Sequence, residues 1–578
     1  MMKFVRVNMM DKTVTFEEAP EKYKGKAGRW LTSLVVSDEV PADCHPLGPN
    51  NKIVIAPGMV TGTSAPSSGR LSVGGKSPLT GGIKEANAGS PFAQKMARMG
   101  IQAIVVEGQG DGTWMLKLGV DRAELVDAAE YAGMGLYQAA DKILAGFGEK
   151  TAFMGVGPTG EKRMAMAGIA FNDTEGRPSR YAGRGGLGAV LGSKGLKFIL
   201  LDDDGAPGVP IADKEVFRQG SRKLVKGLGE HAITKPGGGL NTLGTALLIN
   251  VLNEAGGLPT RNFRTGTFEG AQATSGEALA EKVKERGGAG MMGHGCHPGC
   301  VIRCSNVYPK EDGTEHVSCV EYESDWAFGA NCGIDDLDII AELVRLSNDY
   351  GVDTIEAGVT IGVAMEAGII QFGDGQGAIQ LMHEVGKGTP LGHILGQGAE
   401  FTGKAYGMTR IPTVKRQGMP AYEPRAVKGI GITYATTPMG ADHTAGYTIA
   451  PEIASVGGKV DPLDPKDKSK LSRDFQATTA FLDATGYCLF TSFAILDLPE
   501  AYEGFVESVN GVLGTGYTVD DVVPVGMEIL NIERDFNTRA GFTKMDDRMP
   551  EFMRYETLPP HNHVFDVTDE DLDKVWEA

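Results

Sequence analysis

The chain is predicted to be an α+β protein, with a β-rich first part followed by mainly helical parts. Three observations carry this. Short β-branched runs recur within the first ~200 residues, among them Lys52–Ala56, Ala103–Glu107 and Lys197–Leu201, set apart by Gly, Pro and Ser. Apolar residues then recur at helical spacing in Asp336–Tyr350 and Thr354–Ile370. A polar turn sequence, Asp203–Gly208, stands between the two regimes. Taken in order, the first part also holds a helix over Ser90–Met99, and from about Arg410 helices again mix with glycine loops. The tail from Glu556 reads as irregular, and no internal repeat is visible. At 578 residues the chain exceeds one ordinary core, so several domains are expected. The divisions fall at 1–205, 206–410 and 411–578.

Composition narrows the function. Glycine numbers 82, roughly twice the usual ~7% share, without a collagen period. Such a chain makes many tight turns, some of them suited to wrapping a ligand. A net charge of −18 argues against nucleic acid, because phosphate binding needs concentrated Lys and Arg. The N-terminus lacks a signal-peptide pattern, and no run approaches the ~18 apolar residues of a membrane helix. A cytoplasmic protein without a membrane partner is expected, and there free cysteines serve metals or catalysis more often than disulfides.

Cysteine spacing is the strongest chemical signal. Cys296, Cys300 and Cys304 follow C-x3-C-x3-C in a loop broken by Gly and Pro, and Cys488 stands alone far downstream. Four thiolates suit a cubane iron–sulfur cluster. Zinc, with His294 or His297 as a further ligand, remains open. Unligated core thiols and a radical-SAM site, which ends C-x2-C, fit less well. Cys44, Cys319 and Cys332 lack such spacing and read as buried apolar thiols.

Two glycine segments suggest anion binding. Gly183–Gly188 satisfies G-x-G-x-x-G, but polar Asn172–Arg180 precedes it where a dinucleotide fold wants a strand. Gly69–Ser77 misses a P-loop by one residue, and Pro78 follows where a helix should run. Backbone N–H groups facing a phosphate remain the better reading of both. Glu321-Tyr322-Glu323 and His443 are acid–base candidates, although a lone Glu or His is more often structural.

Together these pieces resemble the tungsten-containing aldehyde:ferredoxin oxidoreductase family over essentially the whole chain. The resemblance rests on Thr61–Arg70, Lys76–Gly81, Ala86–Gly89, Tyr181–Lys194, Glu321–Glu323, Asn331–Asp335 and Asn348–Thr354. The family's two D-x-x-G-L-(C/D) motifs read here as Asn348–Asp353 and Asp483–Cys488, each keeping its glycine.

The resemblance implies a β-rich base of two sheets, with two mainly helical domains covering a cofactor buried at the junction. It implies a bis-pterin tungsten (or molybdenum) centre with magnesium bridging the pterin phosphates. Arg70, Asn87, Gly89, Ala182, Gly183, Gly351, Val352, Asp353, Asp483, Gly486 and Tyr487 fall at its cofactor-binding positions. Cys296, Cys300, Cys304 and Cys488 fall at the ligands of a [4Fe-4S] cluster, although the family often spaces the first pair C-x2-C. Glu323 matches the family's acidic group near the metal, here a general base, and His443 matches its imidazole. The implied reaction is oxidation of an aldehyde to a carboxylic acid, with electrons passing to ferredoxin or an iron–sulfur partner subunit. An oligomer is implied as well. Glu342 and His393 are possible counterparts of a subunit-bridging metal site, but Glu342–Arg345 lacks the histidine of E-x-x-H. The alternatives are a low-potential reductase, for instance of an activated aromatic ring, and an electron-transfer protein without a catalytic metal.

Overall fold

The computed structural model describes residues 2–577. The first part holds strands β1 (Lys3–Asn8), β2 (Thr13–Glu18), β3 (Ile53–Pro57), β4 (Arg70–Lys76), β5 (Ile83–Gly89), β6 (Ile101–Glu107), β7 (Trp114–Leu118), β8 (Ala123–Asp127), β9 (Ala152–Gly155), β10 (Ile169–Phe171), β11 (Arg180–Ala182) and β12 (Leu196–Leu201). They form two six-stranded sheets, ordered β2-β1-β6-β3-β4-β5 and β8-β7-β12-β9-β10-β11. Each strand of the second sheet thus repeats the strand six earlier. The pair β1–β6 is parallel, as is β7–β12, and every other neighbouring pair is antiparallel.

The base is therefore a duplicated unit, which corrects the expectation of no internal repeat. What repeats is topology and burial period rather than residues. Val5, Val7, Ile53, Ile55, Ile104 and Val106 face the gap between the sheets, where Leu116, Leu118, Met154, Ile199 and Leu201 meet them. Alternate positions Phe4, Val54, Ala56, Ala103 and Val105 face the Gly28–Glu39 helix on one outer side. Met115, Phe153, Phe198 and Leu200 face the Leu136–Phe147 helix on the other. Sheets buried on both faces need apolar residues at every position, which explains why these runs lack polar alternation.

The helical predictions land with small shifts. Ser90 caps Pro91–Arg98 with its side chain, and Asp336 caps Leu337–Tyr350. The third helix stops at Glu366 rather than Ile370, because Gly368 turns into a left-handed conformation. Beyond the base, the Lys214–Glu230 helix packs along Pro499–Leu513. One apolar core draws on residues from Trp30 to Val575, and another on residues from Met164 to Leu395. The irregular tail still contributes Leu558, Phe565, Val567 and Val575 to the first of these. Among the described residues no single helix is long and apolar enough to cross a membrane.

Candidate functional site

A cavity of about 340 Å³ lies where the base meets the helical layer. Arg70, Gly89, Gly183, Cys296, Cys304, Glu323, Val352, Asp353, His443 and Cys488 all line it. A wider groove of about 1100 Å³ crosses the outer end of the second sheet, but none of the expected residues reaches it.

Cys296, Cys304 and Cys488 line one wall, with Cys300 beside Cys296. Ligand atoms of Cys296, His297 and Cys300 lie within 4.8 Å of one another. Cys304 and Cys488 sit near enough to influence the same thiols electrostatically. Ser67 joins the two chain segments: its carbonyl accepts from Cys488 N–H at 2.9 Å, and its hydroxyl accepts from Val301 N–H at 3.2 Å. A thiol hydrogen bond between Cys296 and Cys300 pushes Cys296 well above its usual range and holds Cys300 at about 7. The donor set is four sulfurs from two segments, which fits a cubane cluster. His297, inside the first spacer, is buried against Gly69; a side chain at Gly69 would overlap the imidazole.

Both expected pterin motifs are helix C-termini. Gly351 caps Leu337–Tyr350 and Gly486 caps Lys468–Thr485, each left-handed, at φ 80° and 87°. Gly486 lies back to back with Gly58, just after β3, and Gly351 does the same with Gly157, just after β9. The Met59 and Val60 N–H groups donate to the Ala484 and Thr485 carbonyls, both at 3.0 Å. In the second half the Thr159 hydroxyl donates to the Tyr350 and Gly351 carbonyls, at 2.7 and 3.0 Å. Gly89 and Ala182 likewise end equivalent strands. The duplicated base thus offers two equivalent seats.

Charge in the cavity favours an anion. Arg70 lines the wall with Asn87 as its partner, through both the side-chain oxygen and the carbonyl. Arg180 is buried and contacts Cys319 Sγ at 3.4 Å, His294 Nδ1 at 3.2 Å and Ser305 Oγ at 3.0 Å, while its Nε is unpartnered. Among the described residues neither arginine has a carboxylate within 4.0 Å. Arg180 is buried and Arg70 half-buried, and two guanidinium groups without a carboxylate in direct contact fit a phosphate-bearing ligand. Asp353 is already engaged, accepting from Arg184 Nε at 3.2 Å and from Ile355 N–H at 3.0 Å. Seven expected residues stand outside the cavity wall: Asn87, Ala182, Cys300, Gly351, Asp483, Gly486 and Tyr487. Asp483 pairs with Arg29 at 3.2 Å, Gly351 caps its helix, and Tyr487 points into the helical core with its hydroxyl 2.7 Å from Ser508.

Glu323 and His443 meet at 3.3 Å, Oε1 to Nε2. Glu323 stands in the first turn of Tyr322–Phe328, and its Oε2 accepts from Ala421 N–H at 3.1 Å. His443 follows Asp442, whose carboxylate pairs with Lys84 at 3.0 Å and caps Thr444. Burial, aided by Asp442 and Asp353, pushes the Glu323 carboxyl up to about 8. Burial, aided by Arg184 and Lys84, drives the His443 imidazole down to about 4. Both groups are therefore neutral near pH 7, and Glu323 Oε1 and His443 Nδ1 lack protein hydrogen-bond partners.

Several cavity residues were not foreseen. Cys319, expected to be an apolar core thiol, lines the cavity beside Arg180. Cys44 is half-buried rather than buried. Tyr422 and Tyr447, with hydroxyls 2.9 Å apart, flank His443 with ring centroids 5.9 and 6.4 Å away. No spacing signal marks these residues, because long-range packing alone brings them to the cavity. Gly183–Gly188 does follow a strand, β11, but an antiparallel three-residue edge strand, so the dinucleotide reading fails. Gly69–Ser77 is mostly strand β4, so the P-loop reading fails too. Glu342 pairs with His316 at 3.1 Å.

Residues 4–203 match the N-terminal domain of aldehyde ferredoxin oxidoreductase, and residues 220–578 match its domains 2 and 3. The chain belongs to the aldehyde ferredoxin oxidoreductase family. Members similar to it include tungsten-containing aldehyde ferredoxin oxidoreductases of Pyrococcus horikoshii (36% identical) and Pyrococcus furiosus (37%). Each match covers 96% of this chain and 92% of the relative. The WOR-like subunit of an aliphatic sulfonate oxidoreductase from Pyrococcus furiosus is 24% identical over 94% of this chain and 87% of its own length. In fold, the chain resembles the BamBC active-site complex of benzoyl coenzyme A reductase, with a TM-score of 0.81 at 16% identity, covering 99% of this chain and 92% of that one. As a member of the aldehyde ferredoxin oxidoreductase family, the chain is an oxidoreductase, and the α+β expectation of a two-sheet base beneath helical layers is met.

Proposed function

We propose that this chain oxidises aldehydes to carboxylic acids, consuming one water and releasing two protons and two electrons per aldehyde. The observation that carries the proposal is the single cavity joining the Glu323–His443 pair, two carboxylate-free arginines and cysteines of the four-thiol wall. The cofactor is a tungsten (or molybdenum) bis-pterin, one pterin at each half of the duplicated base. Arg70, Asn87, Gly89, Ala182 and Gly183 would face its phosphates and magnesium, and the Asn348–Asp353 and Asp483–Cys488 turns would approach the ring systems through backbone. Cys296, Cys300, Cys304 and Cys488 would hold a [4Fe-4S] cluster. Bound there, the metal–pterin group would supply a two-electron acceptor and the cluster a one-electron outlet to ferredoxin or a partner subunit.

The protein's own part is proton handling and positioning. Glu323, once ionised, removes a proton from the attacking water. His443, kept neutral by burial, orients the carbonyl oxygen. Tyr422 and Tyr447 hold the imidazole in place from two sides. The Ala421 N–H fixes one carboxylate oxygen of Glu323 and leaves the other facing His443.

Elemental analysis of natively purified protein, joined to an aldehyde panel read with a viologen dye, tests the reading. Four iron atoms and one tungsten or molybdenum per chain with aldehyde-dependent dye reduction are expected. Iron without the heavy metal, or zinc in the cysteine site, would overturn it. Reduction of an aromatic ring has less behind it, since fold likeness is its main support.

A further inference from the structure

The cysteine loop joins the paired strands Met291–His294 and Ser305–Pro309, and it carries a further donor, His297. This side chain is 2% exposed. Its Nδ1 lies 2.9 Å from the Pro298 carbonyl, which also accepts from Gln94 Nε2 at 2.7 Å. A carbonyl oxygen only accepts, so Nδ1 carries the ring proton. Nε2 of the neutral imidazole is then a bare lone pair, and it has no hydrogen-bond partner in the protein. A buried acceptor left this way is costly unless a donor or a cation meets it.

The ring is also fixed in direction. A side chain at Gly69 would overlap the imidazole, and one at Gly89 would come within 3.3 Å of both His297 Cδ2 and Cys296 Sγ. The Cδ2–Nε2 edge of the ring therefore faces the same glycine as the Cys296 thiol. A ring nitrogen of His297 and the sulfurs of Cys296 and Cys300 fall within 4.8 Å of one another. Cys300 is otherwise engaged, because its sulfur accepts from Arg303 N–H at 3.4 Å. Among the described residues neither Cys304 nor Cys488 belongs to such a group. An imidazole whose one N–H is held by a backbone carbonyl, with the other nitrogen beside thiols, is arranged as metal-ligating histidines are.

We propose that His297 Nε2 is an alternative ligand for the iron held by Cys296, taking that corner of the cluster when the thiolate lets go. The proposal rests on the iron–sulfur cluster reading and gives it a fifth donor. A cubane has four corners, so five donors leave one corner exchangeable. Imidazole in place of thiolate makes the cluster less negative, which raises its reduction potential.

The test is iron content, pulsed electron-paramagnetic resonance and a redox titration on the full chain carrying Cys296→Ala, purified without oxygen. About four irons per chain should remain. The reduced cluster should show a directly bonded nitrogen, assigned to histidine by isotope labelling, and a midpoint potential above the wild type's. Cys296→Ala with His297→Ala should fall to about three irons or fewer. Cys296→Ala with His297→Cys should keep the iron, lose the nitrogen signal and return to a lower potential. Loss of iron in Cys296→Ala alone overturns the proposal, and its recovery on adding His297→Cys excludes misfolding as the cause. Full iron without a bonded nitrogen overturns it too. A wild-type protein without iron overturns the cluster reading and this one with it.

Discussion

At the Glu323–His443 pair, burial acts on an acid and a base at once and drives both toward neutrality. The carboxyl is pushed up to about 8 and the imidazole down to about 4. A general base must be ionised, so the active fraction grows with pH until it passes the carboxyl's own value. The expected kcat/KM therefore rises about tenfold per pH unit below about 8 and levels off above it, read as a pH–rate profile with a viologen dye. Glu323→Gln removes that limb and costs about 10²–10⁴ in rate, with metal and iron content unchanged. A flat profile between pH 6 and 8 would rule Glu323 out as the base. Cys296, Glu323 and His443 were legible as residues, because their types carry chemistry. Arg180, Cys319, Tyr422 and Tyr447 were not, since nothing in their local sequence separates them from ordinary core.

Among the elements, the helices that end at Gly351 and Gly486 decide where the motifs lie. Each glycine adopts a conformation costly for other residues and touches a second glycine across the interface. The Lys468–Thr485 helix is further tied to the base by Arg29, which donates to Glu533 at 2.8 Å from Nε and again from Nη2, and to Asp483 at 3.2 Å. Arg29 and Glu533 are buried, so removing one partner strands the other's charge. Arg29→Met should destabilise the protein by about 3–5 kcal/mol, visible as a lower melting temperature and weaker retention of the pterin metal. An unchanged melting temperature would show that the network is dispensable. The helix spans themselves were readable from apolar period and caps, as Ser90 and Asp336 illustrate. The glycine-to-glycine contacts were not, because they join residues hundreds of positions apart.

Across the whole molecule, the duplicated base and the helical layer meet at one cavity, and the cysteine wall spans that meeting. Cys488 comes from the end of the Lys468–Thr485 helix, whereas the other three thiols share one loop. Cys488→Ser should strip most of the iron and the cluster's electron-paramagnetic signal while leaving most of the tungsten or molybdenum. Dye-linked turnover should fall at least tenfold. Full iron retention in that variant would remove Cys488 from the ligand set. The duplication also explains why two dissimilar motifs serve equivalent places: each ends a helix against a glycine that follows the same strand of its own half.

By itself the sequence determined the α+β class, the order of β-rich and helical parts and the family, and it singled out four cysteines. These depend on local period, turn chemistry and residue type, which are written along the chain. Only the tertiary structure decided that the base is a repeat, that Arg70 and Arg180 face the cavity without a carboxylate in direct contact, and that burial pushes Glu323 up and His443 down. Those properties follow from burial and from contacts between distant segments. A side chain's desolvation and its neighbours do not exist until the chain has folded.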